Sequence, residues 1–227
     1  MPSTAHGPSS AAPCCGASPA PPPDVPRLED HDLLDLLLAP VREDGPGGLA
    51  AGLLARFGGL AQVLGAEPAQ ILAVEGAGPE AATLLQGVRE LAVRLARAQI
   101  DGRPVISSWS QLIAYVRASI AHLPREQFRA LYLDRRNILM REELVADGTV
   151  DHAPVYPREV VRRALELSAS AMILVHNHPS GDPTPSRADI EMTRKVVDAA
   201  RLFGLQVHDH IVVGREGTAS FRAMGLI

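Results

Sequence analysis

Cysteine and aromatic residues are scarce in this chain of 227 residues: it has two cysteines, and aromatic residues make up 4%. Cys14 and Cys15 are adjacent in a Pro/Ala/Ser-rich stretch, so the sequence holds no disulfide framework and no cysteine that could bind a metal in a core. No apolar run approaches the ~18 residues of a membrane span. The N-terminus has neither the basic start nor the apolar segment of a signal peptide. These absences predict a cytoplasmic protein that does not interact with a membrane.

The chain also lacks a strongly basic segment. Lysine and arginine together number 22 against 26 acidic residues, the formal net charge is −4, and Lys195 is the only lysine. Non-specific binding to nucleic acid depends on cations that face the phosphates. Electrostatics alone therefore does not predict strong non-specific DNA binding.

The patterning divides the chain into three segments. Residues 1–26 are rich in proline and poor in large apolar side chains, which predicts a disordered tail, because burial cannot offset the entropy of ordering it. Residues 27–100 carry leucine-rich helical patterns punctuated by glycine and predict a small all-helical domain. The last of these helices has apolar residues spaced by three and four, namely Leu84, Val88, Leu91 and Leu95. Alternating helix and strand patterns over residues 105–227 predict an α/β domain with a mixed sheet.

The helical segment includes a candidate DNA-binding hairpin. The stretch VEGAGPEAATLL is similar to the turn of a helix-hairpin-helix, in which backbone N–H groups at a helix N-terminus bind phosphate. Ala77 replaces the larger apolar residue usual between the glycines, and Pro79 has no N–H to offer. DNA binding through residues 70–100 and a purely structural packing module therefore both stay open.

The strongest candidate for a functional site is the stretch VHNHPSGDPTPSRAD, residues 175–189. Side chains two apart on a strand point the same way, so His176 and His178 project together where an apolar strand ends. The Pro/Gly-rich turn then leads into a helix with Asp189 in its first turn. Two imidazoles and one carboxylate suit zinc and leave a fourth position for water, as catalytic zinc sites do. The alternative is a helix capped by Ser186, with an acid three residues later and no metal.

These residues resemble a known metalloprotease signature. HNHPSGDPTPSRAD fills every fixed position of the JAMM, or MPN-plus, pattern: His-x-His-Pro, six residues, Ser, two residues, Asp. With YPREVVRRAL upstream and HDHIVVG downstream, the sequence resembles the RadC family of bacterial JAMM-domain proteins. The resemblance covers residues 27–227. It implies an MPN fold, which is a cytidine-deaminase-like mixed-sheet domain, preceded by a helix-hairpin-helix-like domain.

The resemblance also implies roles for individual residues. His176, His178 and Asp189 would hold one zinc per chain, and Ser186 would help to stabilise the oxyanion when a zinc-activated water attacks a carbonyl. A glutamate just before the first strand of the domain would act as general base and then as acid, and Glu126 occupies that place. The implied activity is that of a zinc metallopeptidase, a hydrolase that cuts amide bonds in a protein or peptide substrate.

Other residues are alternatives or supports for this site. Glu142 and Glu143 on the next predicted strand are alternative bases, and at most one can face the site, because neighbours on a strand point to opposite faces. His208 and His210 form a second pair at strand spacing around Asp209. The RadC pattern retains Asp-His at this place, so the resemblance implies that Asp209 or His210 supports the metal site from a second shell. An independent metal site at this pair is the alternative.

Two other functions compete with the hydrolase. A metal-dependent nuclease or phosphoesterase would fit the hairpin and the DNA-repair association of the RadC family, although a single three-ligand site is not the two-metal arrangement common in that chemistry. A non-catalytic, DNA-associated binding module with a vestigial metal site is the other. The metal-binding signature is intact, which argues against a vestigial site.

Overall fold

The structure is a computed structural model that describes residues 23–41, 48–148 and 155–227. Residues 1–22 of the predicted disordered tail lie outside these ranges, and Val25–Arg27 forms one turn of 3₁₀ helix. The described residues form eight α-helices and five β-strands. The helices are α1 (Asp30–Leu38), α2 (Gly48–Phe57), α3 (Leu60–Gly65), α4 (Pro68–Leu72), α5 (Pro79–Ala98), α6 (Trp109–Ile120), α7 (Pro157–Glu166) and α8 (Arg187–Arg201). The strands are β1 (Gln127–Leu133), β2 (Leu139–Asp147), β3 (Ala171–Asn177), β4 (Gln206–Val213) and β5 (Thr218–Ser220).

Helices α1 to α5 pack around a hydrophobic cluster of their own. Its fully buried residues include Leu34, Leu53 and Leu85. The region is helical, as the leucine-rich patterns predicted, and it includes two short helices, α3 with six residues and α4 with five. None of the helices within the described ranges has the length and the hydropathy that crossing a membrane requires.

Helix α5 is present as predicted, but the second half of its apolar row does not line a core, although Leu84 at its start packs against the helical cluster. Leu91 and Leu95 are 63% and 70% exposed. Instead, Ala81 and Leu85 face the helical cluster, whereas Val93 packs against the core of the α/β region. The two cores contact the same face of the helix, one near each end, and Leu91 and Leu95 lie outside that face.

The strands form one mixed sheet in the order β2-β1-β3-β4-β5. β1 is antiparallel to β2 and β3, β3 is parallel to β4, and β5 closes the edge antiparallel to β4. The sheet and the helices that precede it confirm the predicted fold class. β5 was not predicted, since a three-residue strand carries too little pattern.

The two faces of the sheet carry different layers. α6 covers one face, on which Leu131, Ile173 and Val175 are buried. α7 and α8 cover the other face, on which Phe128 and Leu174 are buried. The alternation of side chains along β3 places its terminal histidine on the α8 face, next to the start of that helix.

Candidate metal centre

His176, His178 and Asp189 converge at the end of β3, where α8 begins. Among the residues that the structure describes, they form the one group of three His, Cys, Asp or Glu side chains able to hold a metal ion, with ligand atoms all within 4.8 Å of one another. The Nε2 atoms of the two histidines are 3.0 Å apart. The Asp189 carboxylate oxygens lie 3.4 Å from Nε2 of His176 and 3.5 Å from Nε2 of His178.

These separations match a tetrahedral zinc site. Ligand bonds of roughly 2.0–2.1 Å at tetrahedral angles would place ligand atoms about 3.3 Å apart. His176 is fully buried, whereas the side chains of Asp189 and His178 are 14% and 18% exposed. The protein therefore encloses the centre except on one side, which is open to solvent.

A chain of hydrogen bonds fixes the tautomer of His176. The Thr193 hydroxyl donates to the Asp189 carbonyl oxygen at 2.6 Å, so it must accept from Nδ1 of His210, also at 2.6 Å. Burial holds the pKa of His210 well below its usual value, so its ring is neutral and its Nε2 is an acceptor. That atom lies 2.8 Å from Nδ1 of His176, which must donate the proton. The lone pair of His176 is thus left on Nε2, the atom that faces the centre.

His178 is oriented by the loop that follows it. Its Nδ1 lies 2.9 Å from the backbone carbonyl oxygen of Asp182, which can only accept, so Nδ1 carries the proton. Nε2 of His178 is therefore the atom that binds either a second proton or a metal. Both histidines present the same ring nitrogen to the same point, as metal ligands require.

The charges at the centre favour a cation. Burial opposes ionisation of the Asp189 carboxyl, but the hydrogen bonds that His176 and His178 donate to it in their protonated forms outweigh burial and hold its pKa well below the usual range. The hydrogen bond that protonated His178 donates to Asp189 raises the pKa of His178, and the charge of Glu126 contributes in the same direction. An ionised carboxylate beside two neutral imidazoles is the donor set expected for zinc.

Ser186 caps α8 in the way the alternative interpretation predicted. Its Oγ accepts a hydrogen bond from the Asp189 N–H at 3.1 Å, and Oδ2 of Asp189 accepts one from the Ser186 N–H at 2.7 Å. The capping box also orients Asp189 towards the histidines, so capping and metal binding do not exclude each other. The hydroxyl proton of Ser186 is not used by this contact and can be donated to another group.

Glu126 lies just before β1, on the site side of the sheet. Glu126 is two residues before Phe128 and so lies on the same side of the sheet. Phe128 pairs with His176 across the two strands, and the charge of Glu126 acts on His178. Within residues 23–41, 48–148 and 155–227, no group is hydrogen-bonded or ion-paired to its carboxylate. Glu126 is thus a free carboxylate whose charge reaches one of the three converging side chains, His178.

The two alternative glutamates are engaged elsewhere. Glu142 faces α6 on the opposite side of the sheet, where it contacts Tyr115 and accepts a 2.8 Å hydrogen bond from Arg129. Glu143 is on the site side, but its oxygens lie 2.7 and 2.8 Å from Nε of Arg163 on α7. As predicted, the two point to opposite faces, and neither carboxylate is free.

The two histidines of the second pair, His208 and His210, have different contacts. His210 contacts His176, and its ring lies between Phe128 and Phe221. His208 instead lies 2.6 Å from Oδ1 of Asn137 in the β1–β2 turn. In the described part of the chain, no metal-ligating group forms around His208. Asp209 accepts from the Arg222 N–H at 2.9 Å and contacts Ser220, so it ties β4 to the C-terminal residues.

Comparison with known proteins agrees with this geometry. A family model described as the RadC-like JAB domain matches residues 106–226. This chain belongs to the RadC-like JAB family. It is 53% identical over 203 residues to a protein named UPF0758 protein from Rhodobacter capsulatus, which covers 88% of this chain and 94% of the relative. That name states no activity, so the family membership leaves the reaction to be argued from the site.

Two residues of this RadC-family site were not predicted from the sequence. Thr193 lies four residues after Asp189, on the same side of α8, and this spacing is the signal that could have found it. Asn177 is the other. Strand alternation turns it away from the histidines, and its buried amide contacts residues at and before the start of β1, which no local pattern indicates.

Replacing Thr193 by valine is expected to weaken metal binding by about 10- to 100-fold. Without the hydroxyl, Nδ1 of His210 loses its buried acceptor. The ring can then carry its proton on Nε2, which would push the proton of His176 onto the nitrogen that faces the metal. Competition titrations with a zinc chelator would measure the change. Thr83→Val is the control, because it removes a similar 2.8 Å hydroxyl bond to a helix carbonyl on α5, and it should leave zinc affinity unchanged.

Gly214 lets the loop that carries His178 rest on the β4–β5 turn. A Cβ at position 214 would overlap the carbonyl oxygen of Gly181, whereas one at Gly217 would have an ordinary 4.0 Å contact with Pro183. We expect Gly214→Ala to displace the loop, to lower zinc affinity about tenfold or more and to lower the melting temperature. Gly217→Ala, in the same turn, should change neither. Equal effects of the two variants would show that the contact between the His178 loop and the β4–β5 turn does not determine zinc affinity.

Proposed function

We propose that this RadC-family chain is a zinc-dependent hydrolase of amide bonds, a metalloprotease or isopeptidase, with one zinc per chain. The observation that carries the proposal is the convergence of two imidazole Nε2 atoms and one ionised carboxylate beside a second carboxylate that is free. His176, His178 and Asp189 would be the ligands, and Glu126 would be the acid/base residue. Three protein ligands leave a position for water or substrate, as in catalytic zinc sites.

Each of the chain's own residues would have a distinct part in the reaction. Zinc, when bound, would polarise a substrate carbonyl and lower the pKa of a water molecule. Glu126 would take a proton from the attacking water and pass it to the departing amine. Ser186 would donate its hydroxyl proton to the developing oxyanion, while one lone pair of the same oxygen accepts from the Asp189 N–H.

A phosphoesterase is less well supported by the site. The described residues provide one group of three metal-ligating side chains, whereas phosphodiester hydrolysis commonly uses two metals a few ångströms apart. Amide hydrolysis at a single zinc needs the acid/base carboxylate that Glu126 supplies.

DNA binding through residues 70–100 stays a prediction. Of the arginines on α5, Arg89 donates to the Ser119 carbonyl oxygen at 2.9 Å and Arg97 pairs with Asp101 and Glu142. Both point towards the α/β region, so they are poorly placed to contact DNA at the hairpin. Deletion of residues 1–100, followed by a gel-shift assay, would test the prediction, and unchanged retention of DNA would contradict it.

The hydrolase proposal is tested by screening peptide and isopeptide substrates with the zinc-loaded protein. We expect cleavage that stops when zinc is removed by a chelator and returns when zinc is restored. A phosphodiester substrate is included in the same screen. Zinc-dependent cleavage of the phosphodiester with none of any amide would overturn the proposal in favour of the phosphoesterase.

A further inference from the structure

Asn177 lies between the two histidines in sequence but faces the other way. It is fully buried at the end of β3. Its Oδ1 accepts a hydrogen bond from the Gln127 N–H at 2.8 Å, and its Nδ2 donates one to the Arg125 carbonyl oxygen at 3.0 Å. One side chain thus bonds the residues on both sides of Glu126.

The position of Glu126 depends on its backbone. None of the groups in the described ranges binds its carboxylate, so no side-chain partner holds it in place. Its own carbonyl oxygen accepts from the Gly148 N–H at 2.9 Å, which ties it to the end of β2. On the β3 side, the side-chain amide of Asn177 links the segment 125–127 to the strand that carries His176.

We propose that Asn177 is a positioning residue that holds Glu126 against the metal centre. This inference rests on the proposed function, because it assigns a purpose to the placement of the acid/base residue. The carboxylate and the two histidine ligands would then be held by one rigid unit, β3 and the segment bonded to it. Misplacement of a catalytic group by about 1 Å can cost on the order of 10²-fold in rate, so such a link matters for turnover.

The chemistry of the amide explains why this position requires asparagine. The segment presents one N–H and one carbonyl oxygen, and the amide offers one acceptor and donors to match. An ionised aspartate of the same shape would still accept from Gln127, but it would face the Arg125 carbonyl oxygen with a second acceptor. Serine is too short to bridge both groups, which would leave a buried backbone group unsatisfied.

The test is a double-mutant cycle on the zinc-loaded, full-length protein. We expect Asn177→Asp to keep one zinc per chain and to lower kcat for an amide substrate on the order of 10²-fold, with little change in KM. In the Glu126→Gln background, the same substitution should lower kcat no further, because the group that it positions is already gone. If Asn177→Asp does not fold, Asn177→Ser takes its place.

The control is Asp134→Ala in the β1–β2 turn. Asp134 also bonds two backbone groups, the N–H groups of Arg136 and Ile138, at the opposite end of the strand. It should leave kcat within about twofold, since no active-site group depends on it. Equal losses of kcat for Asn177→Asp in the wild-type and Glu126→Gln backgrounds would overturn the proposal, as would an unchanged kcat.

A spectroscopic measurement separates failure of this inference from failure of the proposed function. In the cobalt-substituted protein, the visible absorption reports the surroundings of the metal and needs no substrate. If the wild type cleaves no amide, the proposed hydrolase has failed. The positioning proposal then stands if Asn177→Asp and Glu126→Gln change the cobalt spectrum alike, and it falls if the spectrum of Asn177→Asp equals that of the wild type.

Discussion

A His178→Ala variant is expected to lose the zinc that the wild type holds at about one ion per chain. The substitution removes one of three protein ligands and leaves His176 and Asp189, which are too few for a stable zinc site. Elemental analysis of the two purified proteins, after exposure to zinc and removal of the excess, would measure the difference. The variant should stay folded, because the His178 side chain lies at the edge of the core and is partly exposed.

The chain offers a matched control in its second histidine pair. His208 also lies two residues from another histidine on a strand, yet its ring contacts Asn137 and not the metal centre. His208→Ala should therefore keep the full zinc content. Loss of zinc in His208→Ala but not in His178→Ala would show that the metal binds at the second histidine pair and would contradict the assignment of His178 as a ligand.

A Glu126→Gln variant is expected to keep its zinc and to lose amide hydrolysis by a factor of about 10²–10⁴, the usual contribution of a general acid or base. Glutamine has nearly the shape of glutamate but cannot take up the proton. Parallel measurements of kcat and of zinc content would separate loss of chemistry from loss of metal.

Glu143→Gln is the control for this second prediction. Glu143 is on the same side of the sheet, but Arg163 engages its carboxylate, and this interaction lowers the pKa of the carboxyl. We expect the variant to retain turnover close to that of the wild type. If Glu126→Gln kept full activity while Glu143→Gln lost it, the base would have been assigned to the wrong carboxylate.

The parts of the fold that could be predicted from the sequence are those with long, regular patterns. The continuous apolar run AMILV at the start of β3 reflects burial of that strand on both faces, and such a run predicts a central strand. The capping pattern at Ser186 and Asp189 likewise predicts the start of α8. Both elements adjoin the candidate metal centre, so the convergence of its three side chains could be predicted as well.

The supports of the site could be predicted only in part, because they depend on contacts between residues far apart in the chain. The resemblance indicated Asp209 or His210 as a support, but not the residue that it would contact. His210 meets His176 across the parallel pair β3 and β4, and Asn177 reaches back to the residues around Glu126. No local pattern encodes these pairings. The exposed side of α5 is another example, since Leu91 and Leu95 have helical spacing but face away from both cores.

The most direct test of the central claim is X-ray absorption spectroscopy at the zinc edge of the purified protein. It reports which atoms bind the ion and at what distance. The geometry predicts two imidazole nitrogens and carboxylate and water oxygens at about 2.0–2.2 Å, in a four-coordinate site. A spectrum with three or more imidazoles, or no specifically bound zinc in the folded protein, would contradict an open site made of His176, His178 and Asp189.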